Sequence, residues 1–156
     1  MIISNFSISM LRYTNTLKIL CIYGNFMNEF KVYYEDTDAS GRVYHANYLK
    51  FLERGRTDLI YKTKYTHKIL LDKFNLIFVV KACTLQFKKP AFFEDSIKVI
   101  STIDQMNKVK INFNQKIYRN SDLLVEAEVL VISVNKLGKI TKIPNEIYLH
   151  LVSLKN

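Results

Sequence analysis

Val32-Tyr33-Tyr34-Glu35-Asp36-Thr37-Asp38-Ala39-Ser40-Gly41-Arg42-Val43-Tyr44-His45-Ala46-Asn47-Tyr48-Leu49 is the stretch on which the reading of this chain turns. It opens in an alternating run. Phe30, Val32 and Tyr34 alternate with Lys31, Tyr33 and Glu35, the period-two pattern of a half-buried strand. Asp36 to Gly41 is polar and turn-rich. Near Asn47 the period becomes helical. Tyr48, Leu52, Gly55 and Leu59 share one stripe, with Leu49 and Ile60 beside it. Glu53 with Thr57, and Arg54 with Asp58, are spaced as (i, i+4) pairs on the solvent side. A mid-helix Gly55 costs about 1 kcal/mol against Ala. A close backbone approach there, such as a sheet wrapped around the helix, is therefore expected.

Four strand patterns follow. Ile77 to Phe87 ends before Pro90, and Ile97 to Ile103 comes next. Val109, Ile111, Phe113, Gln115 and Ile117 alternate with Lys110, Asn112, Asn114, Lys116 and Tyr118. Arg119-Asn120-Ser121-Asp122 reads as a hairpin turn, and Leu124 to Val134 is the last long strand. Pro144 can open a short helix with Ile147, Leu151 and Leu154 on its apolar side. Strand, loop, long helix and four antiparallel strands make an α+β domain, in which one helix covers the apolar face of a sheet.

The 156 residues suit a single domain. Residues 1–26 lack a clear period and are read as an N-terminal extension, disordered or preceding the natural start at Met27. The ordered domain is read as residues 27–156. Leu17 to Tyr23 is too short and too poorly flanked for a signal peptide or a membrane span. Two cysteines, Cys21 and Cys83, make no disulfide framework and suggest a reducing, cytoplasmic setting. The net charge of +9 suits an anionic partner, such as a phosphate-bearing substrate. It equally fits a lysine-rich coding bias. No nucleic-acid-binding motif appears, and the aromatics fall on core-like positions.

Asp36-Thr37-Asp38-Ala39-Ser40-Gly41 imitates the start of a calcium-binding EF-hand loop. The template needs a bidentate Glu at its twelfth position, where Asn47 stands, and a helix in front, where a strand is expected. His45, His67 and His150 lack metal-ligand spacing. No metal is expected. An Asp in a turn commonly bonds nearby backbone N–H groups, and one of the two acids is expected to do only that.

The Val32–Leu49 run, with Phe51-Leu52-Glu53-Arg54-Gly55-Arg56-Thr57, closely resembles the YbgC-like acyl-CoA thioesterases of the 4-hydroxybenzoyl-CoA thioesterase branch of the hotdog superfamily. The resemblance continues through Lys89-Pro90-Ala91, Asp95 and Val125-Glu126-Ala127-Glu128-Val129, and spans roughly Met27 to Pro144. Arg42 and Phe87 depart from it, standing where a small apolar residue and a Tyr are common. It implies a hotdog fold, an antiparallel five-stranded sheet wrapped around a long central helix. The implied activity is hydrolysis of a small or medium acyl-CoA, or an acyl carrier protein thioester, with coenzyme A arriving as part of the substrate and no separate cofactor.

The same resemblance implies Asp38 as general base or nucleophile, and the backbone N–H at His45 as the donor to the thioester oxygen. The His45 side chain would orient the water or Asp38, or bond a substrate phosphate. Tyr34 either supplies a hydroxyl to this site or is an ordinary strand aromatic. Val43, Tyr44 and Asn47 would line the substrate. Lys108 and Lys110 would meet the nucleotide phosphates or simply face solvent, with Lys88 and Lys89 as a weaker pair. A homodimer or homotetramer is implied, with no membrane insertion. Two other readings remain: a hotdog hydroxyacyl-thioester dehydratase using His45 and Glu53, and a weakly catalytic binding module of lipid synthesis or the Tol-Pal envelope system.

Overall fold

A computed structural model describes residues 26–155. The expected extension lies outside the described residues, except that Phe26 already opens the first strand. Five strands form one antiparallel sheet: β1 (Phe26–Lys31), β2 (Ile77–Phe87), β3 (Ser96–Met106), β4 (Lys110–Arg119) and β5 (Asp122–Val134). Their order across the sheet is β1-β3-β4-β5-β2. Helix α1 (Asn47–Tyr61) lies against β1, β3 and β4, with α2 (His67–Phe74) and α3 (Asn145–Ser153) around it. This is the expected α+β arrangement, a sheet wrapped around one long helix.

Alternation in the strands decides which face meets α1. Ile111, Phe113, Gln115 and Ile117 of β4 are buried, as are Val125, Ala127, Val129 and Val131 of β5. On α1 the buried stripe is Tyr48, Phe51, Leu52, Gly55, Leu59 and Ile60. Leu49, expected beside the stripe, is instead exposed, and Phe51 is fully buried against Phe30. Fully burying a side chain of this size contributes about 1.5–3 kcal/mol.

Gly55 is where helix and sheet come closest. A Cβ placed there would lie 2.8 Å from Val99 Cγ1 and 2.9 Å from Ser101 Oγ. The close approach inferred from the sequence is present, and it involves the side chains of β3.

Three local expectations are corrected. The alternation predicts a first strand running through Phe30 to Tyr34, but β1 ends at Lys31, and Tyr34–Asp36 is a single 3-10 turn. The Asp36 carboxylate accepts from the Tyr33 N–H at 2.9 Å and pulls the chain out of extended form. Helix α2 was not anticipated. Its two turns are too short for a period to show, but its caps are strong: Thr66 Oγ1 accepts from the Ile69 N–H, and Asn75 closes it in the left-handed region at φ 50°. Of the two solvent-side pairs on α1, Glu53 and Thr57 meet at 2.9 Å. Asp58 instead accepts from the Asn28 side chain at 2.7 Å, while the Arg54 guanidinium lies over the Phe51 ring.

The hairpin at Asn120-Ser121 and the helix after Pro144 form as expected, with Ile147 and Leu151 buried. The described residues contain no helix long and apolar enough to cross a membrane.

Candidate active site

The loop between β1 and α1 folds as a short ribbon. Thr37 bridges Val43, the Asp38 N–H donates to Arg42 O at 2.9 Å, and the Tyr44 N–H donates to Asp36 O at 2.9 Å. Gly41 makes the turn possible with φ +73°, a region costly for other residues. Ala91 to Phe93 forms a third side. The Val43 N–H donates to Ala91 O at 2.9 Å, Arg42 bridges Phe92, and the Phe93 N–H donates to Gly41 O at 3.3 Å. Buried Tyr48 of α1 holds that side in place, its hydroxyl accepting from the Ala91 N–H at 2.8 Å.

This geometry sorts the two acids. Asp36 is 3% exposed, and its carboxylate is spent on the Tyr33 backbone. Asp38 is exposed. Its Oδ1 accepts from the Ser40 hydroxyl at 2.6 Å and from the Ser40 N–H at 2.8 Å. Those two bonds, with smaller contributions from Arg42, hold its pKa below the ordinary carboxylate value. Both Ser40 bonds fall on Oδ1 and Asp38 lies at the surface, so its ionised carboxylate stays open to solvent. The sequence reading gives Ser40 no role toward Asp38, although Asp-x-Ser is a common side-chain-to-backbone turn pattern.

His45 is exposed and stacks its ring on Tyr44 at 4.3 Å between centroids. Its backbone N–H has no acceptor among the described residues and precedes the first turn of α1, whose end attracts negative charge. No hydrogen bond joins His45 to Asp38. Tyr34 is 78% exposed, with its ring packed on Phe93 at 4.6 Å. Asn47 is buried, and its amide donates to Asp36 O at 3.0 Å and Glu35 O at 3.3 Å. Val43 is buried beneath the ribbon and Tyr44 is exposed on it.

The candidate lysines lie elsewhere. Arg119, at the end of β4, reaches Asp95 at 2.8 Å beside the loop. Lys110 begins the same strand, and ten residues of β4 separate the two ends by about 30 Å. Lys108 is held at that far end by Asn145 and by the Tyr148 ring. Neither lysine therefore reaches Asp38 of its own chain. Lys88 and Lys89 are nearer but are paired with Glu126 and Asp122. The described residues hold no cluster of metal-ligating groups, and the loop that imitates a calcium site spends Asp36 on its own backbone.

A five-stranded antiparallel sheet around a central helix, with a carboxylate loop leading into that helix, defines the hotdog-fold class. The family model of the thioesterase-like superfamily matches residues 32–151, and the chain belongs to that family. It is 39% identical over 119 residues to the acyl-CoA thioesterase YbgC of Haemophilus influenzae, covering 75% of this chain and 87% of the relative. It is also 39% identical over 108 residues to the acyl-CoA thioester hydrolase YbgC of Escherichia coli, covering 69% of this chain and 80% of that one. Among solved structures, a probable thioesterase from Bartonella henselae superposes with a TM-score of 0.75 at 31% identity. That alignment covers 77% of this chain and 99% of the other.

Proposed function

We propose that this chain is a thioester hydrolase acting on small or medium acyl-CoA, with acyl carrier protein thioesters as a second substrate form. The observation that carries the reading is Asp38, an exposed ionised carboxylate on a loop tied to the start of α1. The YbgC relatives named as acyl-CoA thioesterases support the substrate class.

Asp38 acts as general base on water or as the nucleophile. In the base route its carboxylate takes a proton as water attacks the thioester carbonyl carbon. The uncommitted His45 backbone N–H stabilises the oxyanion. The C–S bond then breaks, and the thiolate leaves and is protonated. The His45 side chain and Tyr34, both at the exposed surface of the loop, contact the substrate. Asn47 and Val43 hold the loop, and Tyr44 flanks it.

The working unit is a homodimer, alone or doubled into a tetramer. β2 is a strand of eleven residues at the edge of the sheet, and among the described residues it pairs only with β5. Val80 and Phe87, on its concave side, are each 52% exposed. Long apolar edges of this kind are pairing templates. Lys108 and Lys110 then meet the phosphates bound at the other copy's site. The reducing setting inferred from cysteine use supports a cytoplasmic location.

Release of free thiol from a panel of acyl-CoAs, wild type against Asp38→Ala, tests the assignment. Loss of a general base lowers the rate by about 10²–10⁴-fold. Equal turnover by both proteins would remove Asp38 from the chemistry, and an enoyl product without thiol release would mark a dehydratase instead.

A further inference from the structure

Helix α1 covers the β1, β3 and β4 side of the concave face and leaves a cleft towards β5 and β2. Glu53, Arg56, Thr57 and His67 border it from the helices, and Phe78 and Val80 from β2. Within it Arg56 is only 8% exposed. Its Nη1 donates to Gln115 Oε1 at 2.7 Å. Gln115, wholly buried, is fixed in turn by donating to Leu52 O at 2.9 Å and Ser101 Oγ at 2.6 Å. Arg56 therefore cannot move far.

No ion pair among the described residues involves Arg56. A guanidinium has five N–H donors, and only one bond is made here. A buried cation without a counter-charge is costly. Burial draws the Arg56 pKa down, and the charges of Cys83 and of Glu53 in its own chain, neither in contact with the guanidinium, offset only part of that.

The cleft also contains the complement. Glu53 is the acid bordering it, exposed in the single chain, with Oε1 bound to the Thr57 hydroxyl at 2.9 Å. A two-fold contact lays a surface against its own copy, so a cleft holding one cation and one anion is self-complementary. The outer edge of β2 borders the same cleft.

We propose that in the dimer each copy's Glu53 carboxylate pairs with the Arg56 guanidinium of the other, closing the cleft reciprocally across the two-fold axis. The pairing rests on the dimer reading above and adds to it the contact that fastens the two chains. It assigns Glu53 and Arg56 to assembly and leaves thioester chemistry to the Asp38 loop.

Sedimentation equilibrium on wild type, Glu53→Gln, Arg56→Met and the double variant tests the pairing. Stranding one member of a buried pair is expected to raise the dimer Kd roughly 100-fold or more in each single variant. The double variant strands no charge and should recover most of that loss, giving strong non-additivity. Because Glu53 is exposed in the single chain, Glu53→Gln should leave the fold intact. Should Arg56→Met not fold, Glu53→Arg takes its place and is expected to yield monomers. Dimers of unchanged Kd in the Glu53 variants, or strictly additive losses, would overturn the pairing and leave the dimer standing. A wild type that is monomeric at high concentration would overturn the dimer reading itself.

Discussion

The Asn47 side-chain amide donates to the backbone carbonyl of Asp36 at 3.0 Å, tying the first residue of α1 to the loop that carries Asp38. The same amide reaches Glu35 O at 3.3 Å. In Asn47→Ala the Glu35 carbonyl loses its donor, and the Asp36 carbonyl keeps only the Tyr44 N–H. Losing an ordinary hydrogen bond costs about 0.5–1.5 kcal/mol. We expect urea denaturation of Asn47→Ala to show a loss in that range, together with lower kcat. Full activity at wild-type stability would show that the loop holds itself.

The two aspartates should fail in opposite ways. Asp36→Ala removes the buried carboxylate that accepts from the Tyr33 N–H and should destabilise the protein by about 1–3 kcal/mol. Asp38→Ala should leave the melting temperature nearly unchanged while turnover collapses. Thermal melts and thiol-release assays on both variants check the pairing of effects. An Asp38 variant that unfolds early, with residual rate in proportion to folded protein, would contradict it.

The pH dependence follows from the Ser40 bonds. They lower the Asp38 pKa below its ordinary value of 3.8, so the carboxylate is ionised throughout the neutral range. Activity that depends on it should fall only as pH drops below that value. Asp122 is depressed too, first by its hydrogen bond from Lys89 and by that lysine's charge. For both groups the folded form opposes protonation. The stability they contribute is present above the ordinary carboxylate value and is lost as pH falls through their lowered values. A pH–rate profile with its acid limb near neutrality would instead implicate another group. In Ser40→Ala the limb should move upward.

Gly55→Ala sets two effects against each other. Helix propensity favours Ala by about 1 kcal/mol. The new methyl would meet Val99 Cγ1 at 2.8 Å and Ser101 Oγ at 2.9 Å. Ser101 is not free to yield, because its hydroxyl accepts from Gln115. Overpacking of this kind costs about 1–3 kcal/mol, so a net loss is expected in chemical denaturation. A stabilised Gly55→Ala would mean that β3 moves away cheaply.

Much of the architecture was legible in the chain. Strict alternation in β4 named the buried face residue by residue, because a period of two admits only two choices. Gly55 announced the close contact between helix and sheet because nothing else excuses a glycine there. Helix α2 left no comparable trace, since two turns held by Thr66 and Asn75 carry too few positions for a period. Spacing puts Leu49 beside the stripe and does not single out Phe51, whereas packing against Phe30 buries Phe51 and leaves Leu49 exposed.

For the site, the sequence by itself determined the residues: a carboxylate pair, a histidine and an asparagine in one loop, with a family resemblance to give them roles. The tertiary structure decided which of them are free to act. Asp36 and Asp38 have the same chemistry and stand two positions apart. Only the fold buries one against the Tyr33 backbone and leaves the other open beside Ser40. Distance was decided there too. Lys110 and Arg119 are near neighbours in sequence, yet an extended strand holds them at opposite ends of the sheet, and spacing along the chain carries no record of that direction.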